Sequence, residues 1–175
     1  MSVRSKLEEI LPAETVKEIP FGSGDDYMII DGNINDVNYK LAPCCNPVYG
    51  DDIFGFVTIR EGIKIHRVTC PNAPQMIERF PYRLVKARWR PSSGRGSFLT
   101  TLHVTGSDSM VIVSEISRMI SKDFGVQMRS IHVESDQGVF NGVLKIWVHD
   151  LEHLDFLIHK LKNMKGISSV SRGDA

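Results

Sequence analysis

The sequence predicts an α+β protein in two parts, a small β-rich domain that contains cysteines and a ferredoxin-like βαββαβ domain that follows it. One observation is a run of small, flexible residues, Pro91 to Gly96 (PSSGRG), which is typical of an interdomain linker. All three cysteines precede this run, and hydrophobic patterns in βαββαβ order follow it. We therefore predict a helical remnant and linker over residues 1–24, the cysteine-containing domain over 25–92, and the ferredoxin-like domain over 93–175.

The composition is that of an ordinary globular chain. Hydrophobic residues make up 42% of its 175 residues, and the 21 basic and 21 acidic residues cancel, so total charge does not indicate a nucleic-acid partner. No apolar run approaches the ~20 residues of a membrane span, and the N-terminus lacks a signal-peptide core. These features predict no membrane partner. Three cysteines do not form a disulfide framework, which predicts a reducing, cytoplasmic location.

Residues 1–24 are predicted to form one short helix and a linker. Ser5 and Glu8 have the spacing of a capping box, and Pro12 ends the segment. Residues 12–24 end in Gly22-Ser23-Gly24, which favours an irregular chain. The helix could be the remnant of a longer element upstream.

The elements of the cysteine-containing domain are predicted in the order β-β-loop-β-β-α-β. Alternating patterns and turn residues predict strands, and one helix is predicted after Cys70. The strands are predicted at 27–30, 37–41, 53–59, 63–67 and 84–90, and the helix from Ala73 or Pro74 to Phe80.

The elements of the second domain are patterned more clearly. A strand over 98–105 precedes a helix with Ile112, Ile116 and Ile120 on one face, and Gly125 follows that helix. Strands over 126–134 and 139–148 are joined by a hairpin-length loop. Asp150 is predicted to cap a second helix with an apolar face, which Gly166 ends before a last strand over 167–171.

Four residues of the first domain have the chemistry of a metal site. Cys44, Cys45, His66 and Cys70 supply three thiols and one imidazole, the ligands that tetrahedral zinc prefers. Adjacent cysteines point to opposite faces of a strand, so both could ligate only from an irregular loop, which Pro43 and Pro47 favour. The alternative is that the four residues are small apolar core residues and a hydrogen-bonded core histidine.

A basic stretch follows in the same domain. Lys86, Arg88 and Arg90 share one face of a predicted strand, while Val85, Ala87 and Trp89 share the other. A basic stripe near the aromatic residues Phe80 and Tyr82 is suited to contact with RNA phosphates. The alternative is a solvated sheet face.

Catalytic motifs are not evident. His149-Asp150 is an HD dipeptide, but it lies where a strand enters a helix, and a helix N-cap is the better use of Asp150. The sequence has no phosphate-binding G-x-x-x-x-G-K-[ST] motif and no nucleophile-elbow G-x-S-x-G motif. We therefore predict that this chain is not an enzyme.

The segment from Leu41 to Asn72, LAPCCNPVYGDDIFGFVTIREGIKIHRVTCPN, resembles the conserved-cysteine domain of long RelA/SpoT homologues. It carries the CC-x-P-x-x-GD motif, the G-[FY]-[VI]-[ST] strand and the I-H-R-x-x-CPN signature of that family. In the family this zinc-finger-like domain precedes a C-terminal ACT domain, which is where the βαββαβ unit lies here. The resemblance covers roughly residues 25–175.

The resemblance implies a function. The parent protein would make and degrade (p)ppGpp in the stringent response through synthetase and hydrolase domains upstream, and this chain would be its regulatory region. It would contact ribosomal RNA and tRNA, through Lys86, Arg88 and Arg90 in our interpretation, and relay the signal to the catalytic half. By motif, Cys44, Cys45, His66 and Cys70 correspond to the zinc-type tetrad.

The second domain leaves a different function open. ACT domains bind small ligands, and a sensor of a branched-chain amino acid that acts as a dimer is the alternative hypothesis. The expected ligand turn contains Ser107, Asp108 and Met110. Many amino-acid-binding ACT domains instead have Asp-Arg-x-Gly there, and glycine lets a ligand approach the backbone. Met110 at the glycine position argues against amino-acid binding.

The third strand of this domain predicts self-association. Gly142, Leu144, Ile146 and Val148 alternate on the side that must line the core. Val143 and Trp147 then lie on the opposite side, where a single-sheet domain would expose them. An exposed Trp beside Val favours a homodimer interface. The alternative is that the cysteine-containing domain or the linker covers Trp147 within one chain.

Overall fold

The computed structural model describes residues 2–11, 28–30, 39–89, 97–107, 110–123 and 126–173. The chain divides into two compact units, one that runs to Arg95 and one from Gly96 to Gly173. Within the described ranges, no helix is both long enough and apolar enough to cross a membrane.

The first unit is built from short strands and two helices. Its described elements are α1 (Val3–Ile10), β1 (Met28–Ile30), β2 (Tyr39–Leu41), β3 (Ile53–Val57), β4 (Ile63–Arg67), α2 (Ala73–Arg79), a 3₁₀ turn (Pro81–Arg83), β5 (Leu84–Val85) and β6 (Ala87–Trp89). Four strands form a sheet in the order β2-β4-β3-β5, in which β3 and β4 make the predicted hairpin and β2 runs parallel to β4. β1 and β6 pair separately.

The cap of α1 differs from the prediction. Ser2 is the N-cap, and its hydroxyl accepts a hydrogen bond from the Ser5 backbone N–H at 3.2 Å. The predicted capping box from Ser5 to Glu8 is therefore wrong, because Ser5 already lies inside the helix. This start places Leu7 in the core beside Ile77 of α2, so α1 packs on the first unit.

The strand predicted over residues 84–90 is interrupted. β5 pairs with β3, whereas β6 pairs with β1, and the break falls at Lys86. The apolar side of the alternation is retained, since Val85, Ala87 and Trp89 all pack in one cluster with Ile63 and Ile65. Arg90 lies outside the described residues.

The second unit has the predicted ferredoxin-like order. Its elements are β7 (Phe98–Ser107), α3 (Met110–Arg118) continued by a π-helical turn (Met119–Asp123), β8 (Met128–Asp136), β9 (Val139–Val148), α4 (Leu151–Lys162) and β10 (Ile167–Arg172). The sheet order is β10-β7-β9-β8, and every pair is antiparallel. The predicted α+β fold class is confirmed.

Local chemistry accounts for the connections of this unit. The β8–β9 turn has positive φ at both Gln137 and Gly138, as a two-residue hairpin requires. Asp150 caps α4, and its carboxylate accepts a hydrogen bond from His153 N–H at 2.7 Å. A Cβ at Gly106 would collide with the Gly166 carbonyl oxygen and the ring of Phe140, so only glycine fits where β7 meets the turn between α4 and β10.

The core of the second unit lies on one side of the sheet. Gly142 and the apolar side chains predicted for the inner face of β9 are buried, and both helices contribute their apolar faces to the same core. The fully enclosed side chains include Leu102, Leu144, Ile146, Ile120, Leu154, Leu157 and Leu161.

Candidate metal centre and neighbouring surfaces

The loop after β2 places both adjacent cysteines. The backbone N–H groups of Cys45 and Asn46 donate to the Ala42 carbonyl at 3.4 and 2.9 Å, which closes a tight turn. Asn46 has a positive φ of 45°, a conformation that Asn tolerates better than most residues. Because this backbone is irregular, Cys44 and Cys45 do not have to point to opposite sides.

The other two candidate ligands come from β4 and the turn that follows it. His66 lies in β4, and the Cys70 N–H donates to the Arg67 carbonyl at 2.9 Å, which folds the chain back toward β4. The Ala73 N–H in turn donates to the Cys70 carbonyl at 3.0 Å, so the chain enters α2 directly. This turn brings Cys70 beside His66.

The structure brings all four side chains together. The Cys44 Sγ lies 4.0 Å from the Cys45 Sγ, 3.5 Å from the Cys70 Sγ and 3.4 Å from the His66 Nδ1. The His66 Nδ1 is 3.8 Å from the Cys45 Sγ and 3.7 Å from the Cys70 Sγ. All four potential ligand atoms lie within 4.8 Å of one another.

These separations fit a tetrahedral metal. Bonds of ~2.3 Å to sulfur and ~2.0–2.1 Å to nitrogen imply ligand separations of ~3.8 Å between sulfurs and ~3.6 Å between sulfur and nitrogen. The observed values scatter around both figures. Three soft thiols and one imidazole are also the donor set of structural zinc sites, so the four residues could hold that ion.

The cluster is enclosed in the core of the first unit. Cys45, Cys70 and His66 are 1%, 2% and 6% exposed, and Cys44 is half-buried. The ring of Phe54 stacks on His66 with centroids 5.6 Å apart, which shields the imidazole from water. A site enclosed in this way resembles a structural metal site, without an open position for a substrate.

Hydrogen bonds distribute charge unevenly over the three thiols. The hydrogen bond from Cys45 is the largest of the effects that lower the pKa of Cys70 to about 4. The same bond, together with burial, raises the pKa of Cys45, and burial chiefly raises that of Cys44. Among the three thiols, Cys70 is therefore the one whose thiolate form its neighbours favour.

Arg67 holds the cysteine loop and was not predicted as a site residue. Its Nε donates to the Cys45 carbonyl at 2.7 Å, and its backbone N–H donates to the Cys45 Sγ at 3.3 Å. Asn72 also hydrogen-bonds to the Cys44 and Cys70 thiols. The position of Arg67 in the I-H-R-x-x-CPN signature, beside His66, was the sequence signal for this role.

The predicted RNA-binding residues do not lie on one continuous strand, as the predicted basic stripe requires. Lys86 is half-buried at the break between β5 and β6, and Arg88 is exposed on β6. Both line a cavity of about 770 Å³, together with Trp89 and with Arg4 and Leu7 of α1. Arg90 falls outside the described residues, so the spacing of the three cations stays a prediction.

The predicted ligand turn of the second unit is described only in part. The Ser107 N–H donates to the Gly166 carbonyl at 2.9 Å, which ties the end of β7 to the turn between α4 and β10. Asp108 lies outside the described residues, and Met110 is the first residue of α3. Binding of a ligand at this turn stays a prediction.

The predicted dimer residues lie on the side of the sheet away from the enclosed core. Trp147 pairs with Leu99, and Val143 pairs with His103, across β9 and β7. Both Val143 and Trp147 are half-buried within one chain, although we expected this side to be exposed. Thr101, on the same side, is 1% exposed, so part of this face is covered.

Comparison with known proteins identifies both units. Residues 28–90 match the model of the RelA/SpoT RIS domain, and residues 94–172 match that of an ACT domain. The chain belongs to the RelA/SpoT family. The prediction of a cysteine-containing domain followed by an ACT domain from such a protein is confirmed, and RIS domain is the name of the first unit.

Similar RelA/SpoT proteins cover most of the chain. It is 30% identical over 151 residues to a GTP pyrophosphokinase of Streptomyces coelicolor, covering 86% of this chain and 17% of that protein. The chain is also 30% identical over 134 residues to the bifunctional (p)ppGpp synthase/hydrolase RelA of Mycobacterium tuberculosis. That alignment covers 76% of this chain and 18% of that protein. A pyrophosphohydrolase of Aquifex aeolicus, for guanosine-3',5'-bis(diphosphate), is 26% identical over 140 residues, covering 80% and 20%. The chain thus spans about a fifth of these relatives.

A solved ACT domain is also similar to part of the chain. The crystal structure of the ACT domain from a GTP pyrophosphokinase of Chlorobium tepidum has 30% sequence identity and a TM-score of 0.40, covering 44% of this chain and 99% of that one.

Proposed function

We propose that this chain is a non-catalytic regulatory region of a (p)ppGpp synthetase/hydrolase. In this proposal it binds ribosomal RNA and tRNA, and it relays the signal of the stringent response to catalytic domains upstream in the same protein. Membership of the RelA/SpoT family supports the parent activity. The absence of an acidic residue from Arg79 to Trp89, a segment with four cations, is the observation that supports RNA as the partner.

The RNA part of the proposal predicts a salt-dependent association with ribosomes. Replacing Lys86, Arg88 and Arg90 by alanine should weaken binding and reduce the log–log salt slope by about 2–3, since each neutralised phosphate contributes roughly 0.7–0.9. Cosedimentation of the chain with ribosomes over a series of salt concentrations measures this slope.

A triple alanine variant of Lys160, Lys162 and Lys165 is the matched control. These three lysines are exposed in the second unit, so their loss changes net charge equally. An unchanged slope in the Lys86, Arg88 and Arg90 variant, or an equal reduction in the control, would refute a specific RNA contact by the predicted residues.

We also propose that Cys44, Cys45, His66 and Cys70 hold zinc. The ion would join β2, β4 and the turn before α2, and Arg67 would fix the loop that carries Cys45. Metal ligands generally depend on such hydrogen-bonded neighbours for their orientation.

Replacing Arg67 by methionine tests this positioning role. The change removes the bond to the Cys45 carbonyl while retaining an unbranched apolar stem, so zinc affinity should fall roughly 10- to 100-fold. Competition with a chromophoric chelator measures the affinity. Arg60→Met, in the exposed β3–β4 turn, is the control and should bind zinc like the parent chain. Equal affinity in both variants would remove Arg67 from the site.

An ACT-type sensor is the second candidate function. In it the second unit would bind a branched-chain amino acid as a dimer, with Ser107, Asp108 and Met110 at the ligand turn. The apolar residues Val143 and Trp147, on the sheet side away from the core, favour the dimer part of this candidate. Calorimetric titration with valine and isoleucine tests the ligand part, and saturable binding would favour the sensor.

A further inference from the structure

Two aromatic side chains stand in solvent where α2 passes into β5. Phe80 is 36% exposed and Tyr82 is 75% exposed. Aromatic rings usually contribute to a core, and an exposed ring presents a face on which another flat group can stack. Neither ring takes part in the cysteine cluster.

The surrounding chain holds these rings in place. Pro81 restricts the backbone between them, and the Arg83 N–H donates to the Phe80 carbonyl at 3.0 Å to close the 3₁₀ turn. Phe80 meets Phe56 of β3 edge to face, with centroids 6.2 Å apart, and Tyr82 meets Phe80 in the same manner at 6.3 Å. Stacking on Tyr82 would therefore order little additional chain.

Positive charge accompanies the rings. The Arg83 guanidinium carbon lies 5.1 Å from the Phe80 centroid and 5.8 Å from the Tyr82 centroid, within cation–π range. On the adjacent hairpin, Glu61 is paired with Lys64 at 2.6 Å. Although Glu78 precedes the segment, the chain from Arg79 to Trp89 carries only positive charges. This balance suits an anionic partner with flat groups.

We propose that Tyr82 stacks on an unpaired base of RNA, while Arg83 pairs with a phosphate of the same strand. The proposal rests on the RNA-binding function proposed above and adds the class of RNA, because the faces of a base inside a duplex are covered by the bases stacked above and below it. Single-stranded loops and bulges are the RNA elements that aromatic side chains read by stacking.

The experiment uses the full chain and a stem-loop RNA with 2-aminopurine, a fluorescent purine, in its loop. Stacking on Tyr82 should quench the emission. Tyr82→Ala should abolish that quenching and weaken binding roughly 5- to 150-fold, the range measured when a stacking ring is removed. Tyr82→Phe keeps the ring and should behave like the parent, and a fully paired duplex of the same stem should be insensitive to either change.

Phe156→Ala is the matched control. Phe156 is 54% exposed on α4, with the Lys160 amine 5.6 Å from its ring, so it is another exposed aromatic ring beside a cation. Its loss should leave loop binding unchanged. Circular dichroism should show an unaltered fold for Tyr82→Ala, since this side chain is mostly in solvent.

The outcomes separate this proposal from the proposed function. If Tyr82→Ala binds the loop as the parent does, while the Lys86, Arg88 and Arg90 variant loses ribosome binding, stacking is refuted and RNA binding stands. If Tyr82→Phe loses as much as Tyr82→Ala, the contact is made by the hydroxyl and stacking is refuted. If Tyr82→Ala loses ribosome association but still binds the stem-loop RNA like the parent, Tyr82 contacts a protein and stacking on RNA is refuted. If the parent chain binds neither ribosomes nor the stem-loop RNA, both the RNA-binding function and stacking by Tyr82 are refuted.

Discussion

Replacing Cys70 by alanine in the zinc-loaded chain is expected to unfold the first unit. Bound zinc contributes to folding because a formed site does not exist in the unfolded chain, and structural sites contribute about 10–16 kcal/mol of binding energy near neutral pH. Few ordinary domains retain stability after such a loss. The described strands of this unit are two to five residues long, so they offer little extended pairing to offset the loss.

Tryptophan fluorescence can follow the first unit alone. The chain has two tryptophans, Trp89 in the first unit and Trp147 in the second. The Trp89 indole N–H donates to the Asp51 carbonyl at 2.9 Å, so its emission reports on the loop beside the cluster. In a Trp147→Phe background, we expect Cys70→Ala to shift this emission to that of an exposed indole, and a strong zinc chelator to do the same to the parent.

A second buried substitution separates metal loss from ordinary core damage. Val48 is fully buried in the same unit and is not a candidate ligand. Val48→Ala should lower stability through the cavity it leaves, while its stability remains sensitive to the chelator. If the parent melts at the same temperature with and without chelator, and elemental analysis finds no zinc, the cluster is a thiol cluster and the zinc proposal is wrong.

The four clustered residues were predictable because their side chains suit a metal and they match a RelA/SpoT motif, although 21 residues separate Cys45 from His66. Pro43 and Pro47 around the adjacent cysteines indicated an irregular loop, and the structure has a tight turn with a positive φ at Asn46. The role of Arg67 was not predictable, because it depends on a contact with a carbonyl 22 residues earlier in the chain. Such a contact exists only once β2 and β4 lie side by side.

The fold of the second unit could be predicted from local sequence patterns. The fold of the first unit could be predicted from them only in part. In the ACT unit, hairpin turns, an N-cap and clear apolar faces all agree on one topology. In the RIS unit the strands are two to five residues long, and their partners are chosen by long-range packing. The parallel pairing of β2 with β4 and the break at Lys86 have no local signal. Likewise, the Ser5–Glu8 spacing did not reveal that the helix begins three residues earlier, with Ser2 as its N-cap and Leu7 in the core.

Residues on the outer side of the ACT sheet are buried to different degrees, which the alternation of side chains along β9 could not predict. The periodicity of β9 correctly predicted which residues are buried, since Leu144, Ile146 and Val148 are each about 1% exposed or less. It also placed Val143 and Trp147 on the other side, as the register with His103 and Leu99 requires. Alternation cannot predict how much of that side neighbouring side chains cover, and both residues are half-buried rather than exposed.

We expect the chain to form a homodimer through the outer side of the ACT sheet, which carries Val143 and Trp147. We expect light scattering on the full chain at high concentration to give twice the 19.7 kDa mass of one chain. Trp147→Glu should give a monomer, because an interface would bury the new carboxylate without a partner, and aromatic residues such as Trp often dominate interface energies.

Phe156→Glu is the matched control, since it places the same charge on an exposed aromatic position of α4. If Phe156→Glu alone dissociates the dimer, pairing occurs through the helices. A monomeric parent at high concentration would refute the dimer, and the half-buried Trp147 would then be a feature of the single chain.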